Sequence, residues 1–389
     1  MTTAVGAVVV GGDYQGLGIA RSLGRRGIPV CVLDDERSIA RFSRYTARAV
    51  RVANLRDERE TIETLLAVGE AHGLEGWVFF PTREETVAAL SRHRDRLEQH
   101  FRIPTAGWEV VRWAWDKRNT YRRAEELGIP TPRTWYPRSA DDVRDIDAEG
   151  PFAVKPAIKE HFFYATKAKA WRAETRAELP QLVERALGIV GREEVIVQEL
   201  VPGDGRHQFA YCALFKHGEA LATMTCRRRR QHPPEFGRSS TYVETVDAPE
   251  IESLSERFLR DIGYYGLAEL EYKVDPRDGR PKLLDVNART WGYHSLGQRA
   301  GVDFPALLYA DQLGKRFEPR RAEVGVRWVR LATDIPTGLL EMARGRLGCR
   351  AYLRSLLSAD TEAVFDRRDP LPSLAETLLI PYLALRRGF

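Results

Sequence analysis

The segment Glu269-Leu-Glu-Tyr-Lys-Val-Asp-Pro-Arg-Asp-Gly-Arg-Pro-Lys-Leu-Leu-Asp-Val-Asn-Ala-Arg289 sets acids, an amide and an arginine at alternating positions. It reads as two β-strands joined at Asp278-Gly279, a dipeptide that favours tight hairpin turns. Side chains alternate across a strand. Glu269 and Glu271 therefore share one face of the first strand, and Asp285, Asn287 and Arg289 share one face of the second. Carboxylates and an amide oxygen converging across a hairpin make a hard-oxygen site, suited to magnesium carried on substrate phosphates. An arginine on the same face holds an anion beside such a metal. The pattern points to nucleotide-dependent chemistry.

Lysine usage sharpens this. Only nine of the 60 basic residues are lysine, none before Lys117, and Lys155, Lys159, Lys167 and Lys169 fall in one short stretch. In a chain that otherwise uses arginine, a retained lysine marks a place needing a compact point charge, such as a phosphate oxygen; chance clustering is the competing reading. Lys117 and Lys155 lie on separate elements and can grip a polyphosphate from two sides. The Gln198-Glu199-Leu200-Val201 strand end offers backbone groups and a carboxylate to a purine edge. Asp204 follows where a ribose hydroxyl would be met.

On the substrate side, Cys226-Arg-Arg-Arg-Arg230, followed by Gln-His-Pro-Pro234, reads as a basic loop. It sets Arg228 and Arg230 on one face and Arg227 and Arg229 on the other. Guanidinium pairing with a substrate carboxylate or a γ-phosphate competes with a solvated charged turn. Beyond the hairpin, Trp291-Gly-Tyr-His294 makes Tyr293 and His294 candidates to line an acceptor pocket. For His294 a packing or structural hydrogen-bond role is favoured over that of general base.

These residues need elements to carry them. Val5–Val10, Val30–Leu33 and Gly76–Phe80 read as strands; Gly16–Arg26, Glu58–His72 and Glu84–Gln99 read as helices. That is a Rossmann-like parallel unit. Its Gly11-Gly12-Asp-Tyr-Gln-Gly16-Leu-Gly18 turn departs from G-x-G-x-x-G spacing, so glycines packing helix on strand are preferred over a dinucleotide site, although Asp34 and Asp35 sit near the expected distance. Next come a helix over Lys117–Leu127, a strand over Pro151–Pro156, a helix over Glu178–Leu187 and a strand over Glu194–Glu199. Strands at Gln208–Leu214 and Leu221–Cys226 and a helix at Ile251–Ile262 precede the hairpin.

The order of Trp115-Asp-Lys117, Val154-Lys-Pro156, Gln198-Glu-Leu-Val-Pro-Gly203 and Leu284-Asp-Val-Asn-Ala-Arg289 resembles the ATP-grasp superfamily of carboxylate–amine and carboxylate–thiol ligases. The resemblance spans roughly residues 1–325. Lys-Ala-Trp-Arg172, Arg-Arg-Gln-His-Pro-Pro234 and Asn-Ala-Arg-Thr-Trp-Gly-Tyr-His294 look closest to a bacterial carboxylate–amine ligase branch. It implies an α/β and α+β chain, an ATP-grasp fold with an N-terminal Rossmann-like pre-ATP-grasp domain over 1–112. The grasp subdomains would span 113–195 and 196–325, before a helical, basic extension over 326–389. Lys117 and Lys155 would contact ATP phosphates, and Glu199 the adenine amino group, with Leu200 and Val201 beside it. Asp204 or His207 would meet the ribose region. Glu271, Asp285 and Asn287 would hold one or two Mg2+ ions, and Arg289, with Lys155, would act catalytically on a forming acyl phosphate.

The sequence departs from the family pattern twice. The usual glycine-rich phosphate loop is glycine-free over Pro156–Ala170, where Lys159, Lys167 or Lys169 would supply side-chain charge instead. The second hairpin acid is Asp285, where glutamate is commoner.

Composition fits two or three globular domains in 389 residues. No apolar run reaches bilayer length, and the N-terminal apolar run lacks a basic flank, so it reads as a first strand and not a secretion signal. Four scattered cysteines match a reducing cytoplasm. The formal charge of +5 is spread along the chain, which argues against nucleic acid as a partner. From Val326 the tail has ten arginines, seven acids and no lysine. Capping of the core is favoured there over contact with a membrane surface. The expected partners are a small carboxylate, an amine and a second copy as homodimer. The rival readings are a nucleotide-binding chain without turnover and a nicotinamide-dependent oxidoreductase using the first domain.

Overall fold

The computed structural model describes residues 4–234, 236–237 and 239–387, the last five without their side chains. Strands β1 (Ala7–Val10), β2 (Val30–Asp34), β3 (Arg48–Arg51) and β4 (Val78–Pro81) form a parallel sheet in the order β3-β2-β1-β4. β1, β2 and β4 are buried along their whole length, as expected of a parallel sheet covered on both faces. The covering helices are α1 (Tyr14–Gly24), α2 (Glu58–His72), α3 (Glu84–Arg92) and the short α4 (Arg94–Leu97). Asp57 caps α2 by accepting from the Glu60 amide at 2.8 Å, and Gly73 ends it in the left-handed region. β3 escapes the sequence reading because Arg48-Ala-Val-Arg51 is a largely exposed edge with no apolar run.

The glycine turn after β1 is a packing device. A Cβ on Gly16 would stand 2.2 Å from the Gly11 carbonyl oxygen, and Gly11 has φ +98°. Asp34 is already engaged by the Gly12 and Glu36 amides and by Arg83 at 2.7 Å, so its carboxylate is not open to a ribose.

Helices α5 (Trp108–Trp115) and α6 (Lys117–Glu126) lead to a smaller antiparallel sheet of β5 (Thr134–Trp135), β6 (Phe152–Pro156), β7 (Trp171–Ala173) and β8 (Val195–Glu199), ordered β5-β8-β6-β7. The glycine-free stretch folds as α7 (Lys159–Thr166), and α8 (Leu179–Val190) packs beside it. Phe162, Val183 and Val197 share their core.

The largest sheet holds β9 (Gln208–Lys216), β10 (Glu219–His232), β11 (Ser239–Thr245), β12 (Gly266–Val274), β13 (Pro281–Asn287), β14 (Arg320–Arg321), β15 (Arg327–Val329) and β16 (Thr361–Glu362). Its order is β13-β12-β9-β10-β11-β15-β16, with β14 on β10. Helices α9 (Pro249–Asp261), α10 (Ser295–Arg299), α11 (Phe304–Gln312), α12 (Leu331–Ala343), α13 (Cys349–Leu357) and α14 (Leu371–Arg387) complete the chain. The arginine run is strand and not loop: β10 continues through it, paired to β11, with register shifts around Arg230. The β12–β13 connection is longer than a two-residue turn. The Gly279 amide, at φ +70°, closes on the Asp275 carbonyl at 2.7 Å.

Candidate active site

Asp116 caps α6 through the Arg118 amide, and Lys117 is its first helical residue. Lys117 pairs with Asp285 across to the large sheet. Burial opposes its charge, yet Asp285 outweighs that and holds it above the ordinary lysine value. Lys155, on β6, donates to the Tyr121 hydroxyl at 2.8 Å and to Gln198 Oε1 at 2.7 Å. Both partners are neutral. Burial, reinforced by the neighbouring Lys117 charge, pushes Lys155 down to about 7. Lys169 donates to the Gly237 carbonyl at 2.8 Å, and burial, then repulsion from Lys159, lowers it to about 8. Neither Lys155 nor Lys169 makes an ion pair among the described residues. A buried unpaired cation is costly, and an incoming phosphate removes that cost.

Facing them, β12 and β13 align Glu269 opposite Asn287 and Glu271 opposite Asp285. Asn287 Nδ2 donates to Glu269 Oε2 at 3.1 Å and Glu271 Oε1 at 3.2 Å, bridging the two acids. Burial and the adjacent Glu271 charge raise Glu269 above the usual carboxylate range, and the Tyr293 hydroxyl donates to it. Burial also opposes ionisation of Glu271, but its pairing with Arg228 prevails and keeps it low. No three His, Cys, Asp or Glu side chains form a metal cage among the described residues. Magnesium on a nucleotide needs only one or two carboxylates, with phosphate and water completing the shell. Glu271, Asp285 and Asn287 Oδ1 offer that donor set.

Arg289 donates to Asn287 Oδ1 at 3.2 Å and to Glu84 Oε1 at 2.9 Å. Glu84 is the residue that sequence reasoning missed. It opens α3, directly after β4, and also takes Lys159 at 3.4 Å. Burial disfavours its charge, but Lys159 and Arg289 hold it well below the carboxylate range. The available signal was positional: Pro81-Thr-Arg-Glu84 leaves the carboxyl end of a parallel strand, where such sheets bind ligands.

At the end of β8 the Glu199 and Leu200 amides bond to the Arg133 and Pro151 carbonyls at 2.9 Å. The Val201 amide has no partner among the described residues. Glu199 is paired with Arg133 at 3.2 Å and Arg277 at 2.5 Å, beside a cavity of about 330 Å³. Asp204 and His207 close a short turn on each other at 3.2 Å, and Asp204 also holds Arg206.

Four expected site residues are placed otherwise. Lys167 is exposed at the left-handed residue that ends α7, while Lys159 within the helix reaches Glu84 and Lys169 beyond it reaches the Gly237 carbonyl. A register shift sets Arg228 opposite Val243 and Arg230 opposite Tyr242, so the two do not share a face as expected, and only Arg228 reaches the acids. Arg230 forks onto buried Asp334 at 2.8 Å, between the rings of Tyr242 and Tyr352. Tyr293 is buried beneath Glu269 and supports it from behind. His294 packs on Gly18 and bonds the Gln15 carbonyl at 3.0 Å, locking the hairpin's exit onto α1. Burial lowers its pKa, so it rests neutral.

No family model matches the chain. A D-aspartate ligase of Enterococcus faecium is 24% identical over 297 residues, covering 72% of this chain and 70% of that protein. An L-amino acid ligase from Bacillus licheniformis superposes with a TM-score of 0.63 at 16% identity, covering 82% of this chain and 76% of its own. N5-carboxyaminoimidazole synthetase from Staphylococcus aureus, complexed with ADP, gives 0.62 at 13% identity over 84% and 82%. The chain has the ATP-grasp fold of these structures. In this fold Lys155 comes from the small sheet, Lys117 from the helix before it, and the acids from the large sheet. The biotin carboxylase domain of the Hydrogenobacter thermophilus 2-oxoglutarate carboxylase, in complex with MgADP, shares the fold at a TM-score of 0.66 and 14% identity, over 84% of this chain and 74% of that one.

Proposed function

We propose that this protein is an ATP- and magnesium-dependent ligase that joins a carboxylate to an amine, by way of an acyl phosphate, releasing ADP and phosphate. The observation that carries the reading is the pair of half-buried lysines, Lys155 and Lys169, without acidic partners among the described residues, facing an acidic hairpin that ends in Arg289. Such a site is short of negative charge on its lysine side, while its acids hold Lys117 and Arg228 as counterions. A magnesium–nucleotide complex supplies the missing phosphate charge and a cation to take the place of those counterions. The relatives named for D-aspartate and for L-amino acids favour an amino acid as one substrate.

Lys117 and Lys155 bind the triphosphate from two sides, and the Val201 amide takes the purine edge. Glu271, Asp285 and Asn287 would hold magnesium, which when bound neutralises charge developing on the transferring phosphoryl group. The substrate carboxylate attacks the γ-phosphorus and ADP leaves. Arg289 holds the acyl phosphate, displacing Glu84 from its guanidinium. The amine attacks the acyl carbon, phosphate departs, and the amine proton passes to solvent or to a nearby carboxylate. Positioning and fixed charge do most of this work. The same reading assigns 1–112, 113–195 and 196–325 as units; 326–389, expected as a separate extension, instead continues the large sheet through β15 and β16.

The test is a phosphate-release screen of purified protein with ATP and magnesium against paired amino acids and small carboxylates. ADP formation that needs both an acid and an amine is the expected result. ATP hydrolysis indifferent to both, or no ATP binding, refutes the proposal.

A further inference from the structure

Helices at a water-facing surface normally turn their polar stripe outward. The C-terminal helices do the reverse. α12 buries Thr333, Asp334 and Thr337 and exposes Leu331, Ile335 and Leu339, four residues apart along one face. α14 buries Ala375 and Glu376 and exposes Leu371, Leu374 and Leu378, the last 73% exposed. On α13, Leu353 and Leu357 stand outward, Leu357 at 88%. The three helices adjoin: Tyr352 of α13 packs on Gly338 of α12, and Glu376 of α14 pairs with Arg330 at the start of α12 at 3.0 Å. Most of the large apolar side chains exposed among the described residues lie between 331 and 380.

The charges sort in the same sense. The acids of this region are tied inward: Asp334 to Arg230, Glu376 to Arg330, Asp369 to Arg21 and Asp366 to Arg25. Glu341 serves Arg344 and Arg346, while Glu362 and Asp360 accept backbone amides. Exposed Arg350, Arg354 and Arg367 have no acidic partner among the described residues. The outer face is thus leucine with unpaired arginine.

We infer that this face docks on an anionic phospholipid surface. Leucines enter the acyl boundary and the arginines meet lipid phosphates. No described helix is long and apolar enough to cross a membrane, so the contact is peripheral. A second copy is the weaker occupant, because a two-fold contact sets the patch against itself and opposes its unpaired arginines. The inference is independent of the ligase reading.

Co-sedimentation of the full chain tests it, with vesicles of phosphatidylcholine alone or mixed with phosphatidylglycerol. The expected result is binding at least roughly tenfold stronger to the anionic vesicles, weakened by salt. L353E/L357E and R350E/R354E should each lose it by a similar factor, with unchanged circular dichroism. Equal binding or none with either vesicle overturns the inference. So does a concentration-dependent dimer in sedimentation velocity that L353E/L357E dissolves, since a second copy would then cover the face.

Discussion

Lys155 gives both of its hydrogen bonds to neutral oxygens, so its charge waits for an anion from outside. Its folded pKa of about 7 lies below the 10.5 of an ordinary lysine. Between those values the unfolded chain binds more protons than the folded one, so this group's contribution to stability rises with pH across that window and is least below it. A bound triphosphate restores the charge. At a pH inside the window ATP binding should therefore take up a proton, measurable by calorimetry in buffers of different ionisation heat. K155M should abolish the uptake and slow ADP release by about 10²–10³-fold. Glu84 carries a complementary expectation. E84Q leaves Arg289 and Lys159 without their shared counterion, so unfolding in urea should show a loss of about 3 kcal/mol. Inorganic triphosphate should recover part of it; an unchanged midpoint would mean that Glu84 is solvated.

At the scale of elements, α7 replaces the glycine-rich loop that the superfamily resemblance implies. Nothing in the sequence forbids a helix there, since glycine's absence lowers the entropy cost of forming one. What pins it is tertiary: Phe162 meets Trp171 edge-on at 4.7 Å, Lys159 reaches Glu84, and the Tyr164 hydroxyl donates to Glu85 at 2.7 Å. F162A should free the helix locally, at about 3–5 kcal/mol. Hydrogen exchange should rise over residues 159–166 with the large sheet unaffected, and KM for ATP should increase while KM for the amine holds. Uniformly faster exchange would place Phe162 in the global core instead. The hairpin was readable beforehand because period-two alternation fixes which side chains share a face. The path of the chain leaving α7 was not readable to the same precision. Lys167 and Lys169 both follow the helix and differ by two positions; the left-handed turn at Lys167 and the bond from Lys169 to the Gly237 carbonyl set which of them turns inward.

Across the whole molecule, the nucleotide should act as a clamp between the small sheet and the large sheet, which α6 already meets through Lys117 and Asp285. A ligand that binds only the folded state stabilises it by mass action, about 2.7 kcal/mol at a hundredfold excess over Kd. Thermal unfolding with ATP and magnesium should shift upward by several degrees, and chelation by EDTA should remove most of the shift together with turnover. A shift indifferent to EDTA would mean that Glu271, Asp285 and Asn287 hold no metal.

By itself the sequence determined the local faces and the chemical inventory: a parallel first unit, a hairpin with its oxygens aligned, lysines reserved for a few places, and the order that resembles an ATP-grasp chain. These follow from periodicities of a few residues and from residue chemistry, which need no partner to be read. The tertiary structure alone decided which charges meet. Glu84 lies 205 residues from Arg289, Arg230 is spent on Asp334 104 residues later, and His294 is locked against the carbonyl of Gln15. Ion pairs and burial depend on what the remote chain brings to the other side of a face, and no local spacing encodes that.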